Sequence, residues 1–158
     1  MSKKVKLSLI IIMLVAAVVL TGCGNKNIEG SLEDIMTKLY AEIPEDQRPM
    51  MLMNTEVTDE NVEYFLGSKD IEFEEALASE PGIGSIAHSV VLVRVKDNDN
   101  IEAIEEKIEN SINPRKWVCV GVEEDDVIVE DKGNLIALIM IEDETTREKI
   151  EDAFEKLK

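Results

Sequence analysis

Apolar residues fall along this chain in two rhythms, one of three to four residues and one of two. Leu32, Ile35, Met36 and Leu39 recur at helical spacing behind Ser31-Leu32-Glu33-Asp34, which has the hydroxyl-then-acid form of a capping box. Pro44 stops that helix. "PMMLMN", residues 49 to 54, is short and apolar and reads as an extended segment filling the core. Thr58 caps a second short helix carrying Val62, Phe65 and Leu66, with Gly67 at its end.

The longer pattern comes twice. "VLVRVKDNDNIEAIEEKI" (91 to 108) aligns with "ALIMIEDETTREKIEDAF" (137 to 154): strand-like residues, an aspartate, a polar turn, then a helix. Ile104 falls opposite Ile150, and Ile108 opposite Phe154. A strand over 71–79 precedes the first unit and one over 126–130 the second. Asp131-Lys132-Gly133-Asn134 supplies a hairpin turn. The pattern predicts an α+β fold: a four-stranded, mostly antiparallel sheet in a ββα-ββα arrangement, with one or two additional amino-terminal helices. Duplication and convergence of amphipathic patterns both account for the likeness.

In "SIAHSVVLVRV" a strand puts Ile86, His88, Val90, Leu92 and Arg94 on one face and Ala87, Ser89, Val91, Val93 and Val95 on the other. Both faces are largely apolar, as they are in 135–141, so the sheet needs cover on both sides. The two repeat helices are expected on one face. The amino-terminal helices, or a partner, are expected on the other. Two stretches stay ambiguous: "FEEALA" also suits a helix, and "NPRKWVCVGV" (113 to 122) begins like a helix and continues like a strand. Trp117 within it reads as a core or interface anchor.

The amino terminus changes the picture. Lys3, Lys4 and Lys6 precede a nearly unbroken apolar run from Leu7 to Leu20, the length of a signal-peptide core and short of the roughly 20 residues a spanning helix needs. Leu20-Thr21-Gly22-Cys23 follows and resembles the lipobox of bacterial lipoproteins. That resemblance implies lipidation at Cys23, cleavage before it, and a chain held at the cell membrane facing outside the cytoplasm. Two or three acyl chains are enough for stable attachment. The expected organisation is a lipoprotein signal peptide over 1–22, the lipidated cysteine and a flexible tether over 23–30, and a single α+β domain over 31–158. An ordinary secretory peptide or an uncleaved anchor is the plainer alternative.

Cleavage before Cys23 removes 22 of the 158 residues and leaves 136, enough for one ordinary core. It also removes three lysines and no acids, taking the formal charge from −17 to −20. Such a surface repels nucleic acid and anionic lipid and favours cationic partners; simple solubility is the blander account. With Cys23 committed to lipid, Cys119 has no partner in the chain, so no disulfide framework exists. Flanked by apolar residues, Cys119 is expected to be a small buried hydrophobe.

Candidate chemistry is sparse. His88 is the sole histidine, so no histidine pair can bind zinc. Ser85, His88 and Ser89 crowd one strand and alternate sides, a poor geometry for a nucleophile and its base. "PGIGS" (81 to 85) is not a nucleophile elbow. "KDNDNIE" (96 to 102) lacks the glycine and fifth-position oxygen of a calcium loop, and helix capping explains it. The adjacent methionines lack the spacing and histidine company of a copper(I) site. No catalytic residue, cofactor or metal is therefore expected. The candidate ligand or partner face is His88, Arg94 and Trp117.

Beyond the lipobox, Tyr64 and Phe65 before the first strand, "SVVLVRVKD" (89 to 97), "NPRKW" (113 to 117) and "DKGNLIALIM" (131 to 140) together resemble an uncharacterised lipoprotein family of clostridia and related Gram-positive bacteria. The likeness spans roughly residues 59 to 155. It implies a bacterial-surface context and carries over no catalytic residues. The expected function is a lipid-anchored extracytoplasmic binding or protein-interaction module. Its expected partners are the membrane through the anchor and a protein of the cell envelope. The rival is a surface hydrolase or ligand-sensing accessory using His88, Arg94 or nearby hydroxyls. A transporter's substrate-binding lipoprotein would need a longer, two-lobed chain.

Overall fold

A computed structural model describes residues 26–158. Cys23 and the segment expected to be its signal peptide lie outside the described residues.

The fold is α+β with a five-stranded sheet in which every neighbouring pair is antiparallel. In chain order the elements are α1 (Leu32–Leu39), β1 (Leu52–Glu56), α2 (Val62–Leu66), β2 (Glu75–Pro81), β3 (His88–Arg94), α3 (Ile101–Ser111), β4 (Val127–Lys132), β5 (Leu135–Ile141) and α4 (Glu144–Glu155). Short 3₁₀ turns sit at Glu45–Gln47, Asn98–Asn100 and Glu124–Asp126. The strand order is β1-β2-β3-β5-β4, so the two most apolar strands lie at the centre with every residue buried.

Each element follows from its sequence. Ser31 caps α1 by accepting from the Asp34 N–H at 3.1 Å. Gly67 ends α2 at φ 86°, in the left-handed region, and a side chain there would strike the Ser111 backbone. Thr58 starts α2 with its carbonyl, not as the side-chain cap expected: Asn61 is the N-cap residue, and its Oδ1 accepts from the Thr58 N–H. Gly133, at φ 66°, turns the chain between β4 and β5. "FEEALA" resolves as strand from Glu75 onward, because its last residues, Leu77 and Ala78, pair on both sides with β1 and β3.

The structure is a three-layer sandwich. Val91, Val93, Ile136 and Leu138 pack against α2 and α3 together with Trp117. Val90, Leu92, Ile139 and Ile141 pack against α1 and α4. Burying one such Leu, Ile or Phe side chain is worth roughly 1.5–3 kcal/mol, so each face is a substantial core.

Four expectations are corrected. The sheet has five strands, because 52–56 pairs with β2 instead of filling the core. Met50, Met51 and Met53 are accordingly exposed, since β1 is an edge strand that no other described element covers there. Second, the two repeat helices lie on opposite faces. Residues aligned between the units point to opposite sides: Val93 and Ile108 belong to one core, Ile139 and Phe154 to the other. A two-fold axis through an antiparallel sheet would keep equivalent residues on the same face. The repeat is thus a likeness of pattern without spatial symmetry. The path β3-α3-β4 joins parallel strands across β5, and the right-handed rule for such crossovers fixes which face α3 takes.

Third, residues 27 to 30 do not hang free. Ile28 is buried, its N–H donates to Asn134 Oδ1 at 2.9 Å, and Arg94 donates to the carbonyls of Ile28 and Gly30 at 2.6 Å each. Asn98 Nδ2 reaches Asn27 Oδ1 at 2.8 Å. Fourth, Cys119 is exposed at φ 64°. The stretch 113–122 forms neither helix nor strand. It folds back on itself through Val122 N–H to the Pro114 carbonyl, turning Trp117 and Val122 inward and Val118 and Cys119 outward.

Candidate functional site

Antiparallel pairing sets His88, the first residue of β3, beside Ile141, the last of β5. The 3₁₀ turn Glu45–Gln47 and the following Arg48 and Pro49 approach the same end of the sheet. Between them opens a cleft of about 720 Å³, with Arg48, Ala87, His88, Asp143, Thr145 and Thr146 in its lining. Asp143 caps α4 by accepting from the Thr146 N–H at 2.8 Å. Hydrogen bonds from Thr146, its side chain first and then its N–H, hold that carboxyl below the usual range.

His88 lies almost wholly buried in the cleft wall, its Nε2 2.7 Å from the Tyr40 hydroxyl. Burial lowers the imidazole from its ordinary 6.5 to about 4, so the ring is neutral at pH 7. Burial likewise raises the Tyr40 phenol. Either tautomer of the imidazole satisfies the pair. Arg48 donates from Nε to the Ile43 carbonyl (2.9 Å) and from Nη2 to the Tyr40 carbonyl (2.7 Å) and lies 5.9 Å from the centre of the Tyr40 ring. Its charge meets backbone oxygens in place of a carboxylate. The cleft therefore combines a guanidinium, a neutral imidazole, two threonine hydroxyls and acids. Such a set orients a polar ligand by hydrogen bonds.

The three residues expected to share a face do not meet. His88 and Arg94 stand on one side of β3 but at opposite ends, roughly 20 Å apart at 3.3 Å per residue. Arg94 is engaged with Glu75 Oε1 (2.7 Å) and the two carbonyls of residues 28 and 30, which makes it a clamp on the incoming chain. Trp117 packs in the core on the opposite side of the sheet. Ser89, next to His88, also lies on that opposite side. Tyr40, Arg48, Thr145 and Thr146 were not legible as site residues, because the fold draws them from segments a hundred residues apart. The one local hint was Arg48 set between Pro44 and Pro49.

A second polar cluster is closed. Lys116, with only 4 % of its side chain exposed, meets Glu80 Oε1 at 2.5 Å and Ser89 Oγ at 3.3 Å. Its ammonium lies 4.6, 5.2 and 5.3 Å from the ring centres of Tyr64, Phe65 and Trp117. Burial lowers the ammonium, and the Glu80 carboxylate opposes that shift. This is an internal cation held by a carboxylate, a hydroxyl and three rings. The Tyr64-Phe65 and "NPRKW" motifs meet here.

Among the described residues no group of three or more His, Cys, Asp or Glu is placed to hold a metal ion, and no helix is long and apolar enough to cross a membrane. No protein-family model, curated protein or solved structure matches the chain.

Proposed function

We propose that this chain is a lipid-anchored binding module of the bacterial envelope, held outside the cytoplasm by Cys23, that takes a small polar ligand in the His88 cleft. The observation carrying this reading is the polarity of β3. Its Arg94 end clamps residues 28 to 30, only a few residues from Cys23, while its His88 end opens the cleft. An anchor at Cys23 leaves the cleft on the far side of the domain, turned away from the bilayer. The lipobox and the positively charged, apolar leader supply the anchoring half of the reading.

Two measurements test it. Cells fed an alkyne-tagged palmitate should label the full chain, and Cys23→Ala should abolish both label and membrane fractionation. An unlabelled chain retaining Met1 overturns the anchoring. Native mass spectrometry of protein purified from its own cells should then show a small-molecule adduct that Thr146→Val or Arg48→Met depletes. An adduct-free protein whose melting temperature is unmoved by amino acids, sugars and nucleotides overturns the cleft as a ligand site.

A further inference from the structure

The β1 edge carries an independent inference. Val57 N–H donates to the Ala76 carbonyl, and Gly82 N–H to the Met51 carbonyl, so the odd-numbered residues of this strand bond inward to β2. Leu52, Asn54 and Glu56 therefore turn their backbone groups outward. The Glu56 carbonyl is taken by Asn61 Nδ2 at 3.0 Å. Among the described residues, the N–H and C=O of Leu52 and Asn54 and the N–H of Glu56 form an open ladder. Edge strands are usually guarded by lysine, proline or a bulge. "LMNTE" has neither lysine nor proline, and its register with β2 is unbroken over five residues.

The surroundings suit an added strand. On one side a groove of about 380 Å³ runs between β1 and α1, lined by Met36, Tyr40, Arg48, Leu52, Asn54 and Ser79. On the other side lie the exposed methionines. The large exposed hydrophobics of the described residues are Met50, Met51, Met53, Tyr64 and Val118, each between 46 and 72 % exposed. All five border this corner. The methyls of Met51 and Met53 converge on Gly82; Val118 bonds to the Gly84 carbonyl; and Tyr64 donates to Glu80, the register partner of Met53. Methionine surfaces are adaptable and serve varied peptide partners. At the strand's end and just past it stand the exposed acids Glu56, Asp59 and Glu60.

We infer that β1 accepts an extended segment of another protein as a sixth strand, one whose apolar residues alternate and whose basic residues face the acidic end. Backbone bonds would give affinity, and the groove and methionines would select the alternate side chains. Charge complementarity favours a basic segment over a second copy, because two chains of charge −17 repel.

The test uses the full chain in detergent and a labelled peptide of alternating lysine and valine, with an alternating glutamate–valine peptide beside it. The lysine peptide should bind at least tenfold more tightly and slow amide exchange at Leu52, Asn54 and Glu56. Asn54→Pro removes one outward N–H and no bond to β2, and should weaken binding at least tenfold. Asn54→Lys, a gatekeeper at an exposed position, should do the same without depending on proline being tolerated. Protection confined to other amides, binding unchanged in the Asn54→Lys variant, or peptide-independent dimerisation through the same three amides would each overturn the inference.

Discussion

At the scale of single residues, the two most telling groups are the two buried bases. His88 is neutral in the fold because charging it would strand a cation beside the Tyr40 hydroxyl with little water. With its value lowered to about 4 against 6.5 in the unfolded chain, the unfolded state binds more protons between those limits. The stability tied to the neutral ring is whole above pH 6.5 and is lost as the pH falls through 4. The full gap is worth about 3 kcal/mol at 1.36 kcal/mol per unit. Urea midpoints at pH 7, 5.5 and 4 should show the wild type losing that amount relative to His88→Gln; parallel curves would refute the assignment. Lys116 differs because its charge is kept. Lys116→Met leaves Glu80 facing three rings and Ser89 with no cation, and removing one partner of a buried pair costs about 3–5 kcal/mol. Adding Glu80→Gln should recover much of that loss in a double-mutant cycle. The burial of His88 and its separation from Ser89 were legible from strand alternation alone. The exposure of Cys119 was not, because it depends on a left-handed turn that the apolar "WVCVG" hides.

At the scale of elements, alternation again marks what was legible. Apolar residues at both parities in 86–95 and 135–141 required cover on two sides, and four helices provide it. Which helix goes where follows from the crossover β3-α3-β4, and that could not be read before the strand order was known. The edge position of β1 was hidden for a related reason: an apolar run looks the same whether it is buried or left at a rim. The opposite rim has its own consequence. On β4, Glu130 is half-buried, and burial first, then Glu151, Glu155 and Glu105, raises its carboxyl to about 7. Glu105 on α3 is also raised to about 7, by burial and then by Asp131, Glu109 and Glu102. For an acid raised in the fold, the associated stability is whole below pH 4.5 and lost as the pH climbs through 7. Glu130→Gln should therefore melt higher than the wild type at pH 8, with the gap closing towards pH 4.5. An equal gap at both pH values would show that neither burial nor the neighbouring carboxylates raise it in the fold.

At the scale of the whole molecule, the organising feature is the route by which the chain enters its own fold. Residues 26 to 30 cross the β4–β5 turn so closely that a side chain at Gly133 would strike the Lys26 carbonyl. Asn134, Asn98 and Arg94 hold them there. The sequence stretch "NKNIEG" reads as a tether because it is polar and short, and nothing local reveals that Ile28 is a buried residue of the core. Docking this segment turns a swivel into a fixed exit, so an anchor a few residues upstream would orient the cleft and the β1 edge as well as retain them. Arg94 is the part of the clamp most open to test. Its guanidinium is largely buried and gives two charge-assisted bonds to backbone carbonyls while Glu75 balances it. Arg94→Met strips those acceptors of their donor, and a lost bond to a charged group is worth about 1.5–3 kcal/mol. The urea midpoint should fall accordingly, and amide exchange at Ile28 should rise towards that of a free chain while the centre of β3 stays protected. Unchanged exchange at Ile28 would mean that Asn134 and Asn98 fix the entry without Arg94, whereas simultaneous loss of protection in β3 would make Arg94 part of the sheet's own stability and leave the entry segment without a separate clamp.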